Sequence, residues 1–143
     1  MGFDLISENK VVDDWHCSIF NWRPVHYIIS EVSEPTTLFT NDELAIMTCN
    51  DGFRVDNTRA VILARLIQEY MKDAACVAGS FPDKFTLPCE DFRVDNKTSV
   101  FLTKEELEDP EVFKNSHSPY SISIGRLNEF VQFCKKSEGF GIY

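Results

Sequence analysis

Apolar positions recur at helical spacing in three separate stretches of this chain. Val25, Ile28, Ile29 and Val32 form the first set. They predict a helix with Asn21 as N-cap and Pro24 in the first turn, where a missing N–H costs little. This helix is expected to run to about Val32, with Pro35 following its end. The longest predicted helix covers about 56–75. Ala60, Leu63, Ala64, Ile67, Tyr70, Met71 and Ala74 line one side of it, and Arg59, Arg65, Gln68, Glu69 and Lys72 line the other. The small Ala60 and Ala64 predict close approach by another element. Ile124, Leu127, Phe130, Val131 and Cys134 predict a last helix over 123–137, stopped by Gly139.

Shorter signals fill the gaps. Thr40 with Glu43 matches a capping box ahead of Leu44, Ile46 and Met47, which predicts a second helix. Thr103-Lys104-Glu105-Glu106 carries the same signature and opens an acidic helix that Pro110 interrupts or ends. Phe3-Asp4-Leu5-Ile6 alternates in part and predicts an N-terminal strand, and Ser99–Leu102 predicts another. Phe140–Tyr143 is expected to close a sheet or pack as an apolar tail. Cys49-Asn50-Asp51-Gly52 reads as a turn, since Asn, Asp and Gly tolerate left-handed backbone. The stretch 79–97 is the least regular, an irregular loop or insertion broken by Pro82 and Pro88 and pinned by Phe81, Phe85 and Phe92.

Phe-Arg-Val-Asp-Asn occurs twice, at 53–57 and 92–96, but the flanks diverge. Thr58-Arg59-Ala60-Val61 enters a helix, whereas Lys97-Thr98-Ser99-Val100 leans to strand. Stacked-repeat folds need at least three units, so coincidence or convergent capping is favoured over duplication. The expected fold class is α+β: one mainly helical domain over 1–143, with four or five helices and a small sheet of short strands near the termini.

Composition narrows the function. A chain of 143 residues with 43% hydrophobic content and 12 Phe can build its core without a metal or disulfide. A net charge of −9 with no basic stripe disfavours nucleic acid and permits a basic protein partner. The five cysteines (Cys17, Cys49, Cys76, Cys89 and Cys134) are odd in number and widely spaced, and Met1-Gly2-Phe3-Asp4 opens no secretory leader. Reduced thiols in a cytoplasmic protein are expected. Val61–Leu66 is broken by Arg65, so no membrane span is expected. Gly2 lacks the Ser or Thr that myristoylation needs at position 6, which is Ile6.

Most catalytic chemistries fail on spacing. Zinc needs paired Cys and His ligands, and His16-Cys17, His26 and the isolated cysteines supply no such pair. His16 is adjacent to Cys17 and on the opposite face of an extended segment, so it is badly placed to activate the thiol. Ser116-His117-Ser118-Pro119 lacks a nucleophile-elbow pattern. From Asp95, the sixth position of a calcium loop is Val100 rather than Gly, and no phosphate-binding glycine loop occurs. No metal, cofactor or catalytic residue is assigned. The acidic run Glu105, Glu106, Glu108, Asp109 and Glu111 reads as a solvated helix face. What remains is a tentative ligand site of Asp4, Trp22, Arg23, Asn50 and Asp51. In it Arg23 either pairs internally with Asp4 or Asp51 beside a packed Trp22, or holds an anionic ligand against a Trp22 wall.

Four segments carry a family resemblance: Gly2-Phe3-Asp4-Leu5; Trp15 through Asn21-Trp22-Arg23-Pro24; Asn50-Asp51-Gly52 before an Ala-rich helix; and Ser137-Glu138-Gly139-Phe140-Gly141-Ile142. Together they resemble a small family of uncharacterised bacterial and phage proteins of about this length. Ser7-Glu8-Asn9-Lys10 departs from the glycine-rich turn that its members often carry after the first strand. The resemblance implies one compact domain, groups the five candidate residues into one site, and brings no activity with it. The expected function is a non-enzymatic binding or interaction module, immunity- or inhibitor-like in one version. The alternative is a small-molecule-binding protein or hydrolase with a site near Arg23 and Asp51.

Overall fold

The computed structural model describes residues 2–78, 83–86, 100–102 and 120–143, with side chains described outside 74–78 and 100–102. The acidic helix expected from Thr103, the second Phe-Arg-Val-Asp-Asn copy, the Ser116–Pro119 loop, Cys89 and most of 79–97 lie outside the described residues.

Residues 2–7 alternate between exposed and buried and form strand β1 (Gly2–Ser7), with Phe3, Leu5 and Ser7 facing inward. β1 pairs antiparallel with β2 (Trp15–Ser18), which leads directly into helix α1 (Ile19–Thr36). The short helix α2 (Asn41–Ile46) follows, then strand β3 (Phe53–Asp56) and the long helix α3 (Asn57–Ala78). Strands β4 (Lys84–Thr86), β5 (Val100–Leu102) and β6 (Ser121–Ser123) come next. Helix α4 (Ile124–Lys136) and strand β7 (Gly139–Ile142) complete the described chain.

The fold is α+β, as the pattern predicts. Among the described residues there are four helices and two antiparallel sheets. One sheet has the order β2-β1-β7-β3 and brings the two ends of the chain together. In the second, β5-β4-β6, the strand β5 falls where Ser99–Leu102 predicts one, while β4, β6 and their pairing into a separate sheet were not expected from the sequence. No helix among the described residues is long and apolar enough to cross a membrane.

Several boundaries move. Ser18, not Asn21, caps α1: its hydroxyl accepts from the Asn21 N–H at 3.4 Å, while the Asn21 amide donates to the Ser121 carbonyl at 2.8 Å. Pro24 therefore lies inside the helix, and so does Pro35, because α1 runs on to Thr36 instead of ending near Val32. The carbonyls they leave without helical partners belong to Phe20 and Glu31, exposed positions where water can serve them. By contrast the Thr40–Glu43 capping box forms as predicted, with reciprocal bonds of 3.1 and 3.0 Å.

The core lies between the first sheet and helices α1, α3 and α4. Phe3 stacks on Trp22 with centroids 5.4 Å apart, and Phe130 meets the edge of Trp22 and packs on Trp15. Ala60 and Ala64 are fully buried, and α3 packs on both α1 and α4, so the small residues do mark a close approach.

Candidate functional site

Helix geometry decides which side chains meet on the outer side of α1. Arg23 lies four residues after Ile19, His26 and Tyr27 lie three and four after Arg23, and Ser30 lies four and three after them, so these residues form a stripe about 16 Å long. The stripe, with Trp22 and Thr48, lines an open cleft of about 530 Å3, within the size range of small-molecule sites.

The polar groups of this cleft are held by backbone carbonyls. The His26 imidazole bonds through Nε2 to the Leu44 carbonyl at 2.7 Å, which requires the proton on Nε2. Burial lowers the His26 pKa, outweighing that hydrogen bond, so the ring is neutral at physiological pH. The Ser30 hydroxyl donates to the His26 carbonyl at 3.0 Å, and the Thr48 hydroxyl to the Ala45 carbonyl at 2.7 Å. Trp22 is 1% exposed and donates its indole N–H to the Met47 carbonyl at 3.0 Å.

Arg23 is the exception. It is exposed, its guanidinium lies over the Tyr120 ring at 4.6 Å from the centroid, and it belongs to no ion pair among the described residues. The expected pairing with Asp4 or Asp51 does not form. Asp4 instead faces outward from β1 and meets His16 Nδ1 at 2.7 Å, in register across β1 and β2. The physical reason is strand alternation: Phe3 and Leu5 fill the inner face with Trp22, which puts Asp4 on the other side of the sheet.

Of the five candidate residues, the structure thus brings Trp22 and Arg23 to one cleft. Asp4, Asn50 and Asp51 do not line it. Asn50 is exposed and reaches the Gly2 carbonyl at 3.5 Å, and Asp51 is exposed on the turn before β3. His26, Tyr27 and Ser30 were missed. Their signal was helical spacing from Arg23 within the helix already predicted, on the side away from Val25, Ile28, Ile29 and Val32.

A second polar cluster sits at the β2 edge. Arg126 of α4 covers the Trp15 ring at 4.3 Å, donates to the His16 carbonyl, and pairs with Glu129 at 2.6 Å. Beside it the Cys17 thiol is pushed up to about 12 by burial, with Arg126 opposing and Asp4 adding to the rise. Burial also raises the fully buried Cys134 thiol. Both are protonated, weakly nucleophilic thiols at neutral pH. Among the described residues no group of three or more His, Cys, Asp or Glu side chains is arranged to hold a metal ion. Comparison of the chain with protein-family models, curated proteins and solved structures finds no match.

Proposed function

We propose that this protein is a non-enzymatic binding module whose binding surface is the cleft along α1. The observation that carries this reading is Arg23: a cation at the cleft wall, engaged with an aromatic face but with no carboxylate partner among the described residues. A guanidinium stacks through its face and hydrogen-bonds through its edge, so the Tyr120 contact leaves the N–H fork available. The polar groups of His26, Ser30 and Thr48 are spent on holding the cleft in shape, as expected of a preformed binding site. The raised thiol pKa values of Cys17 and Cys134 speak against either of these two acting as a nucleophile at neutral pH.

The net charge of −9 still permits a basic protein partner on the acidic surface outside the cleft, in the manner of an inhibitor or immunity protein. The cleft itself favours an anionic group, because Arg23 is the charged side chain in its lining.

Thermal-shift measurements on the wild type and Arg23→Ala, against a set of small aromatic and aliphatic acids, amides and amines, test the reading. Stabilisation of the wild type by some members, reduced in the variant, is expected. Equal stabilisation of both proteins, or none of either, would overturn it.

A further inference from the structure

Resting on that reading of the α1 cleft, we infer that its ligand is a monocarboxylate with an apolar, ring-sized body. The carboxylate takes the free edge of Arg23, and the body lies along Ile19 and Tyr27.

The donor inventory of the cleft gives the charge. The His26 Nε2–H is committed to the Leu44 carbonyl, the Ser30 hydroxyl to the His26 carbonyl, and the Thr48 hydroxyl to the Ala45 carbonyl. While those bonds are kept these groups offer a ligand acceptors only, and the neutral imidazole adds no charge. The cationic donors of the cleft are thereby the five N–H groups of Arg23, since the Tyr27 phenol in the same lining is neutral. One planar fork matches one carboxylate in a bidentate arrangement. A second anionic group elsewhere in the cleft would meet no second Arg or Lys, and Ser30 or Thr48 could donate to it only by giving up its bond to a backbone carbonyl. This disfavours dicarboxylates, and it disfavours polyphosphates for the same reason.

The walls give the body. Ile19 and Tyr27 lie one turn to either side of Arg23 on the same face of α1, and both are half-buried. Tyr120 backs one face of the exposed guanidinium and is itself packed on Phe20 at 5.6 Å, so the cation has an aromatic wall on one side. A ligand ring lying along Ile19 and Tyr27 would cover part of the cation and strengthen the ion pair that the bound carboxylate forms. A volume of about 530 Å3 exceeds what a carboxylate by itself fills and leaves room for one or two rings.

Isothermal titration calorimetry with 2-naphthoate, its neutral isostere 2-naphthamide, and acetate tests this, with amide-shift mapping of each titration. In the wild type, naphthoate is expected to bind at least about ten-fold more tightly than naphthamide, the size of a charge-assisted contact. Acetate is expected to bind far more weakly than naphthoate, and the naphthoate margin is expected to vanish in Arg23→Gln. Equal affinity for naphthoate and naphthamide, with shifts in the cleft, would sink the carboxylate inference and leave the cleft as a binding site. A margin that persists in Arg23→Gln would also overturn the inference. No binding by any of the three probes would overturn the cleft reading with it.

Discussion

The Trp22 indole N–H donates to the Met47 carbonyl at 3.0 Å, tying the start of α1 to the end of α2 in the interior of the protein. Trp22 is 1% exposed, and so is Met47. This bond fixes the residue beside Arg23 and hence one wall of the cleft. Trp22→Phe leaves a buried carbonyl without a donor and is expected to cost about 1–3 kcal/mol. Trp22→Ala removes the packing against Phe3 and Phe130 as well and is expected to cost about 3–5 kcal/mol. Urea denaturation gives both values, and a cost for Trp22→Phe near zero would show the hydrogen bond to be dispensable.

Arg59 joins α3 to α2 and β3. Its guanidinium pairs with Glu43 at 2.7 Å and Asp56 at 3.4 Å, and lies over the Phe39 ring at 4.8 Å. Arg59→Ala is expected to destabilise by about 1–2 kcal/mol, with Arg59→Lys recovering only part because it keeps the charge and loses the plane. The Arg59 hydrogen bond also holds the Glu43 carboxyl below its ordinary value of 4.5. That contribution is present above pH 4.5 and is lost as pH falls through the depressed value. A double-mutant cycle with Glu43→Gln at neutral pH should return a favourable coupling, and a value near zero would count against the clamp.

His26 gives a pH dependence of known sign. Burial depresses its native pKa below the ordinary 6.5, so the unfolded chain binds a proton before the native state does. The stability of the native state is then undiminished above pH 6.5 and falls as pH drops from there toward the depressed native pKa. One proton sets a ceiling of about 1.4 kcal/mol per pH unit on the slope. His26→Gln keeps a donor that can reach the Leu44 carbonyl and does not titrate. Thermal unfolding between about pH 7.5 and about pH 5.5 should show the wild type losing stability faster than the variant. Parallel curves would mean that the imidazole takes up its proton as readily in the native state as in the unfolded one.

Two glycines predict opposite outcomes. Gly139 has φ +105°, and a Cβ there would lie 2.9 Å from the Val55 carbonyl oxygen and 3.2 Å from the Asn57 nitrogen, both backbone atoms. Gly139→Ala is expected to cost about 2 kcal/mol or more and to weaken the β3–β7 pairing. Gly125 lies in the first turn of α4 with nothing within 4 Å of an added Cβ. Gly125→Ala is expected to stabilise by up to about 1 kcal/mol. Melting temperatures of the two variants should move in opposite directions, and a shared direction would contradict this reading of the glycines.

The legible parts of this fold were those where local chemistry and tertiary packing agree. The Thr40 capping box, the Ala60–Met71 face of α3 and the Ile124–Cys134 face of α4 needed no distant partner to be recognised. Trp15–Ser18 was not legible, because only pairing with β1 makes it a strand. Phe53–Asp56 was hidden by its identity to a second segment, although Val55 is buried between exposed Arg54 and Asp56 in strand alternation. Pro24 drew the predicted helix start to Asn21, and the true start at Ile19 was lost with it. That shift hid Ile19, whereas His26, Tyr27 and Ser30 lay inside the predicted helix and were passed over because only its apolar face was read. The distance of Asp4 from Arg23 follows from which face of the sheet Phe3 fills, a fact of tertiary packing.

The claim that the α1 cleft with Arg23 is the binding surface is tested most directly by a two-dimensional amide NMR titration of the labelled protein with 2-naphthoate. The largest shifts are expected at Ile19, Arg23, His26, Tyr27, Ser30, Thr48 and the Trp22 indole N–H. Shifts concentrated around Asp4 and His16, or around Phe39 and Asn41, would contradict the claim, as would the absence of any shift at saturating probe.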